Sequence, residues 1–189
     1  MALKEISGAE LTKVEPQNVK DGEVLYEVRF GKNIQLTIPE ECYSTGICEE
    51  IPDFPEEEVN DIINKMMIDK VHFNYDPDFL EPHTVINEAY KLCSSRRVYL
   101  RPKAVRDSNY QWYLVLNSNY TTAQRFKGEQ CLGPPETSCV NVGGYCRGFH
   151  GECVQKYYNR YVLVLSSDLK QVLRKIVAWP LCCACAVFR

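Results

Sequence analysis

The stretch Pro180-Leu181-Cys182-Cys183-Ala184-Cys185 places three cysteines within four residues. In an extended strand Cys183 and Cys185 face the same way, and Cys182 faces the other. Two thiols on one strand face invite two bridges to a neighbouring strand. If Cys131 and Cys139 supply the partners, segments 131–139 and 183–185 close a covalent ring of twelve residues. A third bridge, from Cys93 to Cys153, could thread that ring, which is the arrangement of a cystine knot. In the loop-closure picture each such bridge between distant residues stabilises the fold by roughly 3–5 kcal/mol. Spacing alone leaves the pairing open, since eight cysteines can pair in on the order of a hundred ways.

Composition points the same way. Two of the ten cysteines, Cys42 and Cys48, lie early, and the other eight lie between 93 and 189. Small cysteine-dense segments are usually disulfide scaffolds of the secretory route. The opening residues Met1-Ala2-Leu3-Lys4-Glu5-Ile6-Ser7-Gly8 lack the apolar core of a signal peptide. The expectation is therefore a trimmed or incomplete form of a secreted, extracellular precursor. No run of 18 uncharged apolar residues occurs, so no membrane insertion is expected. Charge is split as sharply as cysteine. Residues 1–92 hold 8 Lys+Arg and 20 Asp+Glu, net −12, whereas residues 93–189 hold 14 and 5, net +9.

The cysteines fit other chemistry poorly. Cys182-Cys183-Ala184-Cys185 has no second Cys-x₂₋₄-Cys pair elsewhere in the chain to complete a structural zinc ribbon. Outside the 182-to-185 spacing of Cys-Cys-Ala-Cys no Cys-x-x-Cys occurs, and His72, His83 and His150 have no companion motif, so catalytic thiol chemistry is not supported. His150, between glycines, reads as a solvated loop residue. No nucleophile–base or metal constellation appears, so neither an enzyme nor a cofactor is expected. A nucleic-acid partner is not expected either.

Working outward, Val24, Tyr26, Val28 and Phe30 share one parity and Ile34, Leu36 and Ile38 continue it beyond Gly31-Lys32-Asn33. That pattern predicts a β-hairpin over 23–39. Cys42 and Cys48 flank a Gly46 turn and suit a short-loop disulfide. Pro55 followed by Glu56-Glu57-Glu58 marks a helix start, and Val59, Ile62, Ile63, Met66 and Met67 recur at helical spacing. Residues 1–20 show no clear periodicity. Residues 71–92 are Pro-flanked and acidic and read as a linker. Three β-rich runs follow, at 110–117, 153–165 and 172–179, separated by Gly and Pro clusters. Long two-stranded ribbons bury little by themselves and need cross-links.

Several local motifs carry a resemblance. Leu92-Cys93 precedes a basic run ending in Tyr99-Leu100-Arg101-Pro102-Lys103. Gln111-Trp112-Tyr113-Leu114-Val115-Leu116-Asn117 is a Trp-containing strand. Gln130-Cys131 and Cys139, Cys153-Val154-Gln155-Lys156-Tyr157-Tyr158 and the closing Cys-Cys-x-Cys complete the set. Together these resemble the Spätzle family, invertebrate ligands of Toll receptors with a neurotrophin-like cystine knot. Ile47-Cys48-Glu49 through Tyr-equivalent Phe54-Pro55 is similar to the pro-regions of that family. The resemblance covers roughly residues 42–67 and 90–189.

The resemblance implies a mainly β fold: a cystine-knot domain of long antiparallel two-stranded ribbons at 90–189, a small acidic α/β pro-region at 1–70, and a linker at 71–89. It implies the bridges Cys131–Cys183, Cys139–Cys185 and Cys93–Cys153, with Cys182 forming the interchain bond of a homodimer. Cys146 has no counterpart in the family's pattern; it could pair with Cys182 or form a second interchain link. The loop Gly143–Cys153 is similar to that of coagulogen, a clotting protein of the same superfamily that polymerises after cleavage, and this is the alternative function. A disulfide-rich inhibitor fits less well, because the acidic half is long and no compact reactive loop is evident.

By the same resemblance, a trypsin-like serine protease removes the pro-region and the basic dimer activates a Toll-type leucine-rich-repeat receptor ectodomain in innate immunity or development. No Arg lies between Arg29 and Arg96, and beyond Lys32 the basic options there are Lys65, Lys70 and Lys91; Lys70-Val71, after the helix, is the expected cut. The acidic half would mask the basic one. Asn119-Tyr120-Thr121 is a glycosylation sequon. Tyr110, Tyr113 and Arg160 are candidate contact residues.

Overall fold

The computed structural model describes residues 9–19, 22–31, 34–35, 37–77, 92–133, 137–139 and 149–189. The elements in chain order are β1 (Ala9–Val19), β2 (Gly22–Phe30), α1 (Cys42–Thr45), β3 (Ile47–Cys48), α2 (Glu56–Ile68), β4 (Ser95–Leu100), β5 (Ala104–Arg106), β6 (Trp112–Val115), β7 (Phe126–Cys131), β8 (His150–Leu165) and β9 (Gln171–Phe188). A seven-stranded sheet has the order β1-β2-β9-β8-β6-β5-β3, and β4 and β7 form a second, two-stranded sheet. The fold is mainly β, as the sequence predicts, with the long ribbon β8–β9 carrying the cystine knot.

Two compact units divide the chain by space rather than by order. The first takes the described residues of Met1–Tyr75, Leu100–Phe126 and Asn159–Val177. The second takes those of Asp76–Tyr99, Lys127–Tyr158 and Ala178–Arg189. The early acidic segment and the later basic segment therefore contribute to the same first unit.

In that unit β2 pairs antiparallel with β9, setting Glu23 opposite Arg174 and Val24 opposite Leu173. Gly22 makes the close approach possible: a Cβ there would stand 2.6 Å from the Arg174 carbonyl oxygen, and its φ of 139° disfavours any side chain. The helix α2 starts as its sequence demands, with three glutamates in the first turn against the positive end of the dipole. Its Val59, Ile62, Ile63 and Met66 are fully buried. They share one core with Tyr26 and Val28 of β2 and with Leu114, Leu116, Leu163, Leu165 and Val172. Each fully buried aliphatic side chain contributes about 1.5–3 kcal/mol, so the helix is held by packing more than by its own propensity.

Three local expectations differ from the structure. The hairpin partner of β2 is β1, with Leu11 opposite Val28 and Lys13 opposite Tyr26, not the segment after Gly31. Both edges of β2 are thus taken, one by β1 and one by β9. Ile34 and Ile38 are not in a strand, although Ile38 still packs on the core. Met67, expected on the buried face of α2, is 45% exposed, because the apolar stripe turns away from it at the last turn. Cys131 ends β7, whereas Cys139 follows an isolated bridge between Ser138 and Glu152, so the two do not sit on one strand.

The stretch after α2 is fastened along residues 71–77. Val71 and Phe73 pack against the core of the first unit. Asn74 Nδ2 donates to the Tyr161 carbonyl at 2.8 Å. Tyr75 forms a parallel bridge with Arg125, whose guanidinium lies 4.5 Å from the Tyr75 ring centroid. In the second unit, Asp76 accepts the Lys127 N–H at 2.8 Å and the Pro77 carbonyl accepts the Tyr99 hydroxyl at 3.2 Å. Residues 78–91, with Lys91, lie outside the described residues.

Candidate functional site

The second unit is organised around three disulfides: Cys93–Cys153, Cys131–Cys183 and Cys139–Cys185. The last two bridges join segments 131–139 and 183–185 into one covalent ring. The first lies against it, with Cys93 Sγ 3.9 Å from Cys139 Sγ. The Sγ atoms of Cys93, Cys153 and Cys183 fall within 4.8 Å of one another. Each is bonded to a partner sulfur, so no thiolate is offered to a metal there.

Backbone and side-chain bonds set the ring. The Cys139 N–H donates to the Gly151 carbonyl at 3.0 Å, and the Cys153 N–H donates to the Thr137 carbonyl at 2.8 Å. Gln155 on β8 reaches both sides. Its Oε1 accepts the Cys131 N–H at 2.9 Å, while its Nε2 donates to the carbonyls of Glu129 at 2.8 Å and Cys182 at 3.1 Å. One amide thereby ties β7 to β9 at and beside the Cys131–Cys183 bridge. Trp179, fully buried, donates its indole N–H to the Lys127 carbonyl at 2.8 Å and fixes the same two strands one step further on.

Cys182 carries a free, half-buried thiol. Cys146 lies outside the described residues. His150 begins β8 rather than lying in a loop; its Nε2 is 2.8 Å from Glu152 Oε1. His72 is exposed, and His83 lies outside the described residues.

The first unit holds Cys42–Cys48, which closes on α1 and β3 and stays within the early segment. Asn119 is exposed in the turn that Ser118 N–H and the Thr121 carbonyl close at 3.0 Å. The Asn119 N–H donates to Glu56 Oε2 at 2.7 Å, and the Ser118 hydroxyl donates to Asn60 Oδ1 at 3.2 Å, so α2 anchors the sequon turn. Lys70 is exposed just past α2 with a φ of 58°. Tyr110 is 77% exposed, whereas Tyr113 is buried and Arg160 lies over the Phe126 ring at 4.3 Å.

Acidic residues of the early segment meet basic residues of the later one within this unit. Lys103 is buried, with its Nζ 2.5 Å from Glu56 Oε1, 3.7 Å from Glu50 Oε2 and 5.2 Å from the Phe54 ring centroid. Arg174 meets Glu23 at 2.7 Å. A second buried cluster joins Lys175 Nζ to Asp107 Oδ2 at 3.1 Å and to the Tyr113 hydroxyl at 2.8 Å. Burial works to lower Lys175, yet the hydrogen bonds to Tyr113 and Asp107 hold it above its ordinary value. Burial works to raise Asp107, yet the N–H groups of Gln111 and Asn109 and the Lys175 ammonium hold it below the usual carboxylate value. The Tyr26 hydroxyl donates to Asp69 Oδ2 at 2.8 Å; burial first, then that bond, pushes its pKa up to about 12.

The family model described as Spaetzle matches residues 90–187, slightly more than half of the chain and the stretch that contains all three bridges of the second unit. The chain belongs to the Spaetzle family. Protein spaetzle 5 of Drosophila melanogaster is 25% identical over 96 residues. That match covers 51% of this chain and 24% of the relative, so this chain corresponds to about a quarter of that protein. The Spaetzle match begins at residue 90 and does not reach α2 or β2. The residues that sequence reasoning missed are Gln155, Lys103 and the Asp107–Lys175 pair. Gln155 stood inside a recognised motif, but its role depends on strands 26 and 27 residues away in sequence.

Proposed function

We propose that this Spaetzle-family chain is the precursor of a secreted, non-enzymatic cytokine. Its residues 90–189 are the ligand, and residues 1–70 are a pro-region removed by a trypsin-like serine protease. The ligand acts as a homodimer joined through Cys182 and activates a Toll-type receptor ectodomain. The observation that carries this reading is the Spaetzle match over the ring of bridges, together with a half-buried Cys182 thiol beside that ring. The pairs Glu56–Lys103 and Glu23–Arg174 support a masking role for the acidic segment. Cys42–Cys48 closes within that segment, so it adds no covalent link to the ligand. No helix among the described residues is long and apolar enough to cross a membrane.

Expression through a secretory route tests the proposal. The wild-type chain runs as a covalent dimer on a non-reducing gel, and Cys182→Ser runs as a monomer. After limited trypsin treatment, the product activates reporter cells that carry a Toll-type receptor ectodomain, and the uncut chain does not. A monomeric wild-type chain that polymerises on cutting would favour the coagulogen-like alternative.

A further inference from the structure

We propose that the last turn of α2 gates activation, so that the Lys70–Val71 bond is cut only from a locally unwound state. This rests on the reading of Lys70 as the activation residue. The bond lies in a Schellman motif. The Lys70 N–H donates to the Met67 carbonyl at 3.0 Å, and the Val71 N–H donates to the Met66 carbonyl at 3.0 Å. Lys70 occupies the left-handed position after the cap, where glycine is the usual residue. A basic residue kept at a strained position is what a protease-recognition residue at a helix end would look like.

Both sides of the bond are fixed. Met66 is fully buried, and Val71 and Phe73 pack against the core. The Tyr26 hydroxyl holds Asp69, the residue before Lys70, at 2.8 Å. A protease cleft takes several residues on each side of the bond in an extended form. The αL turn at Lys70 and the two closing hydrogen bonds are incompatible with that form, although the Lys70 side chain is exposed. Cutting therefore follows the population of the opened turn. The step is hydrolysis: the Lys70–Val71 amide bond breaks, and water supplies the hydroxyl of the new Lys70 carboxyl and a hydrogen to the Val71 amine. The new amino terminus begins the later fragment, where Asn74 and Tyr75 are fastened to Tyr161 and Arg125.

The experiment compares trypsin cutting of the full chain with cutting of a synthetic peptide spanning 64–76, reading by mass spectrometry the product that begins at Val71. The chain is expected to be cut roughly tenfold or more slowly than the peptide, by the factor that hydrogen exchange reports as protection of the Val71 amide. Tyr26→Phe keeps the ring and drops the Asp69 bond, and is expected to speed cutting at Lys70 about fivefold while the melting temperature stays above the assay temperature. Equal rates for chain and peptide would overturn the gate. So would an unchanged rate in Tyr26→Phe despite reduced Val71 protection. A chain that resists cutting at Lys70 but is activated by a cut elsewhere removes Lys70 as the activation residue, and with it the turn as the gate of activation.

Discussion

Glu56, in the first turn of α2, sits 2.5 Å from the ammonium of Lys103, and both side chains are largely out of water. The pair joins the acidic early segment to the basic later one in a single compact unit. Glu56 also accepts the Asn119 N–H, so one carboxylate serves two groups of the later segment. Removing it leaves the buried cation, among the described residues, with the more distant, exposed Glu50 and the Phe54 ring.

Glu56→Gln is accordingly expected to destabilise the chain by about 2–4 kcal/mol, as for a buried pair broken on one side. Urea unfolding of the two proteins measures the difference. The replacement of both partners, Glu56→Gln with Lys103→Met, is expected to recover part of the loss, since no uncompensated charge then remains.

The core shared by α2, β2 and β9 predicts the behaviour of a nicked chain. After a cut between the two segments, the pieces are expected to stay together on a native sizing column. They separate on a denaturing, non-reducing gel, because Cys42–Cys48 closes within the early piece and the other described bridges close within the later one.

Gln155→Leu removes three hydrogen bonds that hold β7 and β9 in register at Cys131 and Cys182. Buried groups left without partners cost about 1–3 kcal/mol each. The variant is expected to refold oxidatively with a lower yield of the Cys131–Cys183 bridge, read by peptide mapping under non-reducing conditions. Gln155→Glu keeps the acceptor but loses the donor, and is expected to fall between the two.

The Asp107–Lys175 pair sets the pH range of stability. Asp107 is lowered in the folded chain, so its contribution is present above the unfolded carboxylate value, near 3.8, and is lost as pH falls through the folded value. Lys175 is raised, so its contribution is present below the unfolded value of 10.5 and is lost as pH rises above it. Tyr26, at about 12 when folded against 10.0, adds loss in the same alkaline range. Thermal melts across pH are expected to show a plateau between these limits, and Asp107→Asn is expected to flatten the acid side.

Much of this was legible in local patterns, and the rest depended on distant partners. The α2 helix was readable because Pro55, three glutamates and a 3–4 spacing act within one segment. Its Met67 was misplaced because the apolar stripe ends where tertiary contacts end. The hairpin partner of β2 differs from the expected one: β1 has little periodicity of its own, and among its described side chains Ala9 is buried and Leu11 packs on the core from an edge strand. The continued parity at Ile34 and Ile38 reflected packing on the core rather than strand pairing. Lys103, Asp107 and Lys175 looked like ordinary surface charges, because burial of a charge is decided by partners up to 68 residues away. The charge split was plain in the sequence, but the placing of both halves in one unit was not.

The proposed ligand is a ring closed by Cys131–Cys183 and Cys139–Cys185, with Cys93–Cys153 against it, joined to a second copy through Cys182. Disulfide mapping of secreted protein, before and after limited trypsin treatment, tests it most directly. The account predicts peptides that link Cys131 to Cys183, Cys139 to Cys185 and Cys93 to Cys153, and a symmetric peptide that links Cys182 to Cys182 of a second chain. Pairing of Cys183 or Cys185 with any other cysteine, or of Cys182 with Cys146 in the same chain, would contradict it.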